Sequence, residues 1–187
     1  ALGHPGSRPR HGLTVDLESD SVDPHTARIV QVACVDLVPA ERGVATAPAY
    51  DVDRWSTLVD PGDGFEMAAG AEAVHGLSTA LIRAEGRPSA HVIPEIAGKL
   101  YDTWRAGGVV IGHNIGGYDL TLLAAEMRRH GLPELRVLGC VVDTLTLDRC
   151  DLLDRADRFR KGSRKLVDAV GWWKVPMDQD KAHDATE

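Results

Sequence analysis

The sequence predicts an α/β domain built on a mixed β-sheet, three antiparallel strands plus two further strands, flanked by helices. Three observations predict it. Strand-like runs follow one another near the N-terminus, the hydrophobic period then changes from two towards about 3.6 residues, and the second half alternates helix-like with strand-like segments. At 187 residues the chain fits one domain and buries enough surface to fold without staples.

Ala1 to Arg10 mixes Gly, Pro, Arg and Ser without periodicity and reads as a disordered tail or an expression remnant, leaving residues 11–187 as the domain. Gly12–Glu18 is a short apolar run ending in acids. Arg28–Val38 is rich in Val and Ile, and Tyr50–Val59 contains Trp55, Thr57 and Val59. Turn-forming stretches, Asp20–Pro24 and Pro39–Gly43, separate these runs and predict an antiparallel meander; Pro61–Gly64 ends the third. Ala68–Val74 and Ser78–Ala84 read as short helices. Ser89–Ala106 sets Val92, Ile93, Ile96, Leu100 and Trp104 near helical spacing, with Pro94 in an early turn that tolerates it.

Val109–Gly112 is a short buried strand. Tyr118–His130 is a helix with Leu120, Leu122, Leu123 and Met127 inward, stopped by Gly131-Leu132-Pro133. Val137–Val142 reads as a strand, after which Asp143-Thr144 caps a helix over Leu145–Leu153. Asp157–Lys165 is a polar, basic connection. A short helix through Val170 and a turn over Gly171–Pro176 complete the pattern.

A hydrophobic share of 43% and a charged share of 26% are ordinary for a soluble globule. No apolar run approaches the ~18–20 residues that span a bilayer, so the expectation is a cytoplasmic protein without a membrane partner. Cys34, Cys140 and Cys150 are odd in number and lack CxxC spacing, and Cys34 and Cys140 sit in apolar runs as small buried hydrophobes. A net charge of −7 argues against a passive nucleic-acid coat, which neutralises phosphates with Lys and Arg. It is compatible with carboxylates clustered around divalent cations.

Asp16 and Glu18 are the sharpest local signal. Two residues apart on a strand, they project to one face while Leu17 enters the core. Two such acids either mark where a strand meets solvent or hold a cation between them, and oxygen donors suit Mg2+ or Mn2+. Asp119 stands at the start of a helix, where the dipole alone favours an acid. His183, near the end of the chain, carries no signal by itself.

Together these segments, in this order, resemble the DEDDh group of 3′→5′ exonucleases, the proofreading epsilon-subunit-like family with a ribonuclease-H-like fold. Val15-Asp16-Leu17-Glu18 is similar to its first motif, Gly112-His113-Asn114-Ile115-Gly116-Gly117-Tyr118-Asp119-Leu120 to its second, and His183-Asp184-Ala185 to the opening of its third. Val74-His75-Gly76-Leu77-Ser78 and Val142-Asp143-Thr144-Leu145 are weaker echoes. The segment Arg160 to Asp168 resembles bacterial stand-alone members. The likeness runs from about Leu13 to Glu187.

The sequence departs from the family in three places. Ser19-Asp20-Ser21 stands where the family has two threonines and a glycine. Asn114 lies five residues before Asp119 rather than four. The last acid of the third motif falls one position past Glu187, so the expectation is a domain cut just before that ligand.

The resemblance implies that Asp16, Glu18, Asp119 and this last acid hold two Mg2+ or Mn2+ ions, with His183 as the general base of phosphodiester hydrolysis. It sets Leu17, His75, Gly76, Leu77 and Asn114 against the terminal nucleotide. Arg164 and Lys165, within a basic run, are either phosphate contacts or a solvated loop. The expected substrates are single-stranded DNA or RNA 3′ ends, and the expected products nucleoside 5′-monophosphates. Two alternatives stay open: an exoribonuclease acting on short RNA, and a nucleic-acid-binding or regulatory module without turnover. A polymerase-complex partner is also left open, although no segment reads as its docking peptide.

Overall fold

The computed structural model describes residues 11–39, 50–149, 163 and 165–173. Expectations for the first ten residues, for Cys150, for Arg164 and for the segment around His183 lie outside the described residues. Strands β1 (Gly12–Ser19), β2 (Ile29–Pro39) and β3 (Tyr50–Asp60) form the expected antiparallel meander. Helices α1 (Ala69–His75) and α2 (Thr79–Glu85) follow, then a two-residue strand β4 (Arg87–Pro88), helix α3 (Ser89–Arg105) and strand β5 (Val109–Gly112). Helix α4 (Asp119–Arg129), strand β6 (Cys140–Asp143), helix α5 (Thr144–Arg149) and helix α6 (Leu166–Trp173) complete the described elements.

The sheet runs β4-β3-β2-β1-β5-β6, with β5 parallel to both β1 and β6. The expected three antiparallel and two further strands are therefore present. The addition is β4, whose Arg87 and Pro88 pair with Val59 and Asp60, a bridge too short to leave a periodic signal.

Strand alternation decides which side chains reach the core. Leu13, Val15 and Leu17 are at most 5% exposed and pack with Val92, Ile93, Ile96 and Leu100 of α3 and Leu122 and Leu123 of α4. Burying each such side chain contributes about 1.5–3 kcal/mol. Val32 and Cys34 lie opposite Leu17 and Val15 and extend the same layer. Burial pushes the Cys34 thiol up to about 12, which keeps it a neutral core group. A smaller cluster of Val30, Phe65, Met67 and Ile82 fixes α1 and α2 against β3. No helix among the described residues is long and apolar enough to cross a membrane.

Three local expectations change. The strand expected over Val137–Val142 begins only at Cys140, and Val137 and Leu138 are exposed. Gly139 lies so close to the Trp104 indole that a Cβ there would come within 2.7 Å of it, and Trp104 Nε1 donates to the Cys140 carbonyl at 3.1 Å. The chain thus joins the sheet only after passing under Trp104. Cys140 is exposed rather than buried, because β6 is the sheet's outer strand among the described residues. The turn expected from Gly171 gives way to helix, since α6 continues to Trp173.

One buried charge was not anticipated. Glu126 of α4 is 1% exposed, and its Oε1 accepts from Arg28 Nε at 2.8 Å, Arg129 Nη1 at 3.1 Å and the Ile29 amide at 3.3 Å. Arg129 also donates to the carbonyls of Ala27 and His25, and Arg28 to that of Pro61. His130 Nε2 lies 3.7 Å from Glu126 Oε2, too far for a hydrogen bond, and neither buried atom has a hydrogen-bond partner among the described residues. The network clamps the loop between β1 and β2 to the helix that begins with Asp119.

Candidate active site

The site grows from the C-terminal end of β1. Asp16 is exposed and Glu18 half-buried on one face of the strand, while Leu17 between them is 5% exposed in the core. The β1–β2 pairing is regular to Glu18 opposite Gln31 and then shifts, so that Ser19 stands opposite Ile29. Such an irregularity bends the strand and re-aims the chain beyond it.

Asp119, the first residue of α4, is 5% exposed and is brought to this strand end from 102 positions away in the chain. Its Oδ1 accepts a hydrogen bond from the Leu17 amide at 3.1 Å. Burial raises its carboxyl well above the ordinary value of 3.8, the Asp16 charge raises it further and Glu18 adds to this; amide hydrogen bonds from its own backbone and Leu17 oppose the shift. Three acids from two distant segments therefore share one electrostatic environment. Among the described residues, however, no three His, Cys, Asp or Glu side chains are gathered as a group that could hold a metal ion.

The loop before α4 is built for this approach. Asn114 has φ of 62°, a left-handed conformation that Asn tolerates better than most residues. Its carbonyl accepts from the Gly117 and Tyr118 amides, and its side chain lies over Gly117, where a Cβ would come within 2.7 Å of Oδ1. Thus the chain between Asn114 and Asp119 folds into a tight turn. Asp143 Oδ1 ties that turn to the next strand, accepting from the Asn114 amide at 2.9 Å and capping α5 through Leu145 at 3.0 Å. The cap expected at Asp143 is present.

His75, Gly76 and Leu77 form a second turn beside the acids. His75 Nε2 donates to the Ser19 carbonyl at 3.3 Å, and its Nδ1 accepts from the Leu77 amide at 3.1 Å. These bonds define the ring as the neutral Nε2–H tautomer. Gly76 takes φ of 74°, which a side chain would strain. The turn is thereby fastened to the residue after Glu18. Lys165 is exposed immediately before α6, and Trp172 is 45% exposed.

Sequence reasoning missed Tyr118 and Ser19. Burial raises the Tyr118 hydroxyl above its ordinary value of 10.0, the Ser19 hydrogen bond lowers it, and Asp119, Asp20 and Glu18 raise it. Its contacts with Ser19 and Ser21 hold the end of β1 to the start of α4. The available signal was its position, immediately before Asp119.

The sign of the Asp119 shift makes a stability prediction. Between 3.8 and its raised value, the native carboxyl binds a proton that the unfolded one has released. Stability from this group therefore falls as pH rises through that interval and stays lower above it. Asp119→Asn is expected to be more stable than the parent at neutral pH, and the difference is expected to shrink as pH falls towards 3.8. Urea midpoints of both proteins across that range measure it.

No family model matches the chain, and no curated protein matches it. Solved structures do. A zinc-bound complex of E. coli exonuclease I with single-stranded DNA is similar with a TM-score of 0.73 and 17% identity, covering 95% of this chain and 37% of that one. An exonuclease I complex with the SSB C-terminus has a TM-score of 0.73 and 15% identity, covering 94% and 39%. A product-bound exonuclease I has a TM-score of 0.71 and 15% identity, covering 96% and 42%. The chain spans about two fifths of the length of the exonuclease I chains it matches. At this identity the likeness is one of fold alone, and it agrees with the mixed sheet flanked by helices expected from the sequence.

Proposed function

We propose that the chain is a metal-dependent 3′→5′ exonuclease domain of the DEDDh type, removing nucleoside 5′-monophosphates from single-stranded nucleic-acid 3′ ends. The observation that carries the reading is buried Asp119, docked on the Leu17 amide and electrostatically opposed by Asp16 and Glu18. Like charges so placed, one of them buried, favour a nearby cation, and an all-oxygen donor set suits Mg2+ or Mn2+. The fold likeness to exonuclease I, seen with single-stranded DNA in one structure and with product in another, supports the same reading.

Asp16, Glu18 and Asp119 would hold the ions, with a further carboxylate from outside the described residues. When bound, a pair of divalent ions activates a water and stabilises the attacking and leaving oxygens of an in-line displacement. His183, in the segment similar to the third motif, takes the proton of the attacking water. The new P–O bond forms as the bond to the departing 3′ oxygen breaks. Leu17, Asn114 and the His75-Gly76-Leu77 turn receive the terminal nucleotide beside the acids. Arg164 and Lys165 meet the phosphate backbone, where each contact adds salt-dependent affinity.

A second reading, a nucleic-acid-binding module without turnover, is favoured by the lack of a metal-binding group of three among the described residues. One assay separates them. With Mn2+ and matched single-stranded DNA and RNA carrying a 5′ label, the enzyme shortens the labelled strand stepwise and releases 5′-monophosphates. The ratio of the two rates assigns DNA or RNA. Binding of either oligonucleotide with no shortening would establish the module instead.

A further inference from the structure

We infer that Tyr118 is a positioning residue of this site, whose hydroxyl holds the strand end carrying Glu18 in register with Asp119. The inference rests on the proposed exonuclease site. Tyr118 occupies the position before the first turn of α4, yet its side chain makes no capping hydrogen bond to that helix. It reaches instead to β1. Its hydroxyl donates to the Ser21 carbonyl and contacts the Ser19 hydroxyl, which itself donates to that same carbonyl.

Location gives this contact its consequence. The β1–β2 register breaks between Glu18 and Ser19, so the ladder stops directing the chain just where the second acid must be aimed. Two consecutive residues of one segment take over. Asp119 holds the Leu17 amide, and Tyr118 holds Ser19 and Ser21, so positions 17, 19 and 21 are fastened to the start of α4 while Glu18 lies between two of them. On the other side, His75 holds the Ser19 carbonyl. Ser19 is thus the point where the acidic strand, the α4 helix and the His75-Gly76-Leu77 turn meet. The remainder of the loop is closed separately, by Asp20 Oδ1 accepting from the Arg28 amide at 2.7 Å. Losing the Tyr118 hydroxyl therefore frees only the stretch beside Glu18.

The test is Tyr118→Phe, which keeps the packed ring and removes only the oxygen, compared with Ser21→Ala, which keeps the carbonyl that Tyr118 uses. Three quantities are measured: kcat and KM for a single-stranded oligonucleotide, Tm, and amide exchange at residues 17–23. Tyr118→Phe is expected to lower kcat about tenfold with KM changed less than about twofold, to speed exchange at residues 19–21, and to shift Tm by no more than about 4 °C. Ser21→Ala is expected to match the parent in all three. Parental kcat and exchange in Tyr118→Phe, beside an inactive Asp119→Asn, would overturn the role of Tyr118 and leave the site standing. A fully active Asp119→Asn would overturn the site and this role together.

Discussion

Asp119→Asn is expected to lower metal-dependent nucleotide release by about a thousandfold while leaving the protein folded. The substitution is nearly isosteric, and its side-chain oxygen can still accept the Leu17 amide that Asp119 accepts at 3.1 Å. The charge alone is removed. In water a lost carboxylate would be partly replaced by solvent, but Asp119 is 5% exposed, and little solvent can take its place. A cation–oxygen interaction supplying about 4 kcal/mol to the transition state corresponds to about three orders of magnitude in rate. The same change relieves the repulsion from Asp16 and Glu18, so the loss of activity should come with a gain in stability at neutral pH. Opposite signs in the two measurements distinguish a site residue, held at a cost to the fold, from an ordinary core acid. Single-turnover release with Mn2+, read beside urea midpoints, supplies both.

Glu126→Ala has the largest expected effect on stability, about 2–4 kcal/mol. Its carboxylate is 1% exposed and is the shared acceptor for Arg28, Arg129 and the Ile29 amide. Breaking a fully buried pair costs about 3–5 kcal/mol because the partner charge is stranded. Here the Arg28 and Arg129 side chains are 28% and 29% exposed and recover some hydration, which lowers the figure. Glu126→Gln retains an acceptor and is expected to cost about half as much. Denaturant unfolding measures both. Equal costs for the two variants would show that the side chain's packing, and not its bonds to Arg28 and Arg129, is what the fold requires.

The contrast between Asp119 and Glu126 shows what the sequence made legible. Both lie on α4, seven residues apart, and both are buried. Asp119 was found because its segment resembles a family motif. Glu126 lies on the same inward face as Leu122 and Leu123 and was overlooked because a buried acid depends on partners from elsewhere, here Arg28 across 98 positions. Periodicity located α3 within a residue or so at each end, since Val92, Ile93, Ile96 and Leu100 line one face of a long helix. It placed β6 too early because Val137 and Leu138 read as strand residues, whereas the Trp104 indole over Gly139 decides where the chain enters the sheet. That the acids at 16 and 18 share one face of β1 was legible from strand alternation. The Tyr118–Ser19–Ser21 contact was not, since no local pattern tells which hydroxyl a folded tyrosine will meet.

The claim on which the rest depends is that Asp16, Glu18 and Asp119 share a divalent cation at the end of β1. Paramagnetic broadening of backbone amide signals during a Mn2+ titration tests it without reference to turnover. Broadening should appear first and together at residues 15–19 and 118–121, and should weaken strongly in Asp119→Asn. Signals in both segments that stay sharp while others broaden, or broadening unchanged in Asp119→Asn, would contradict the account.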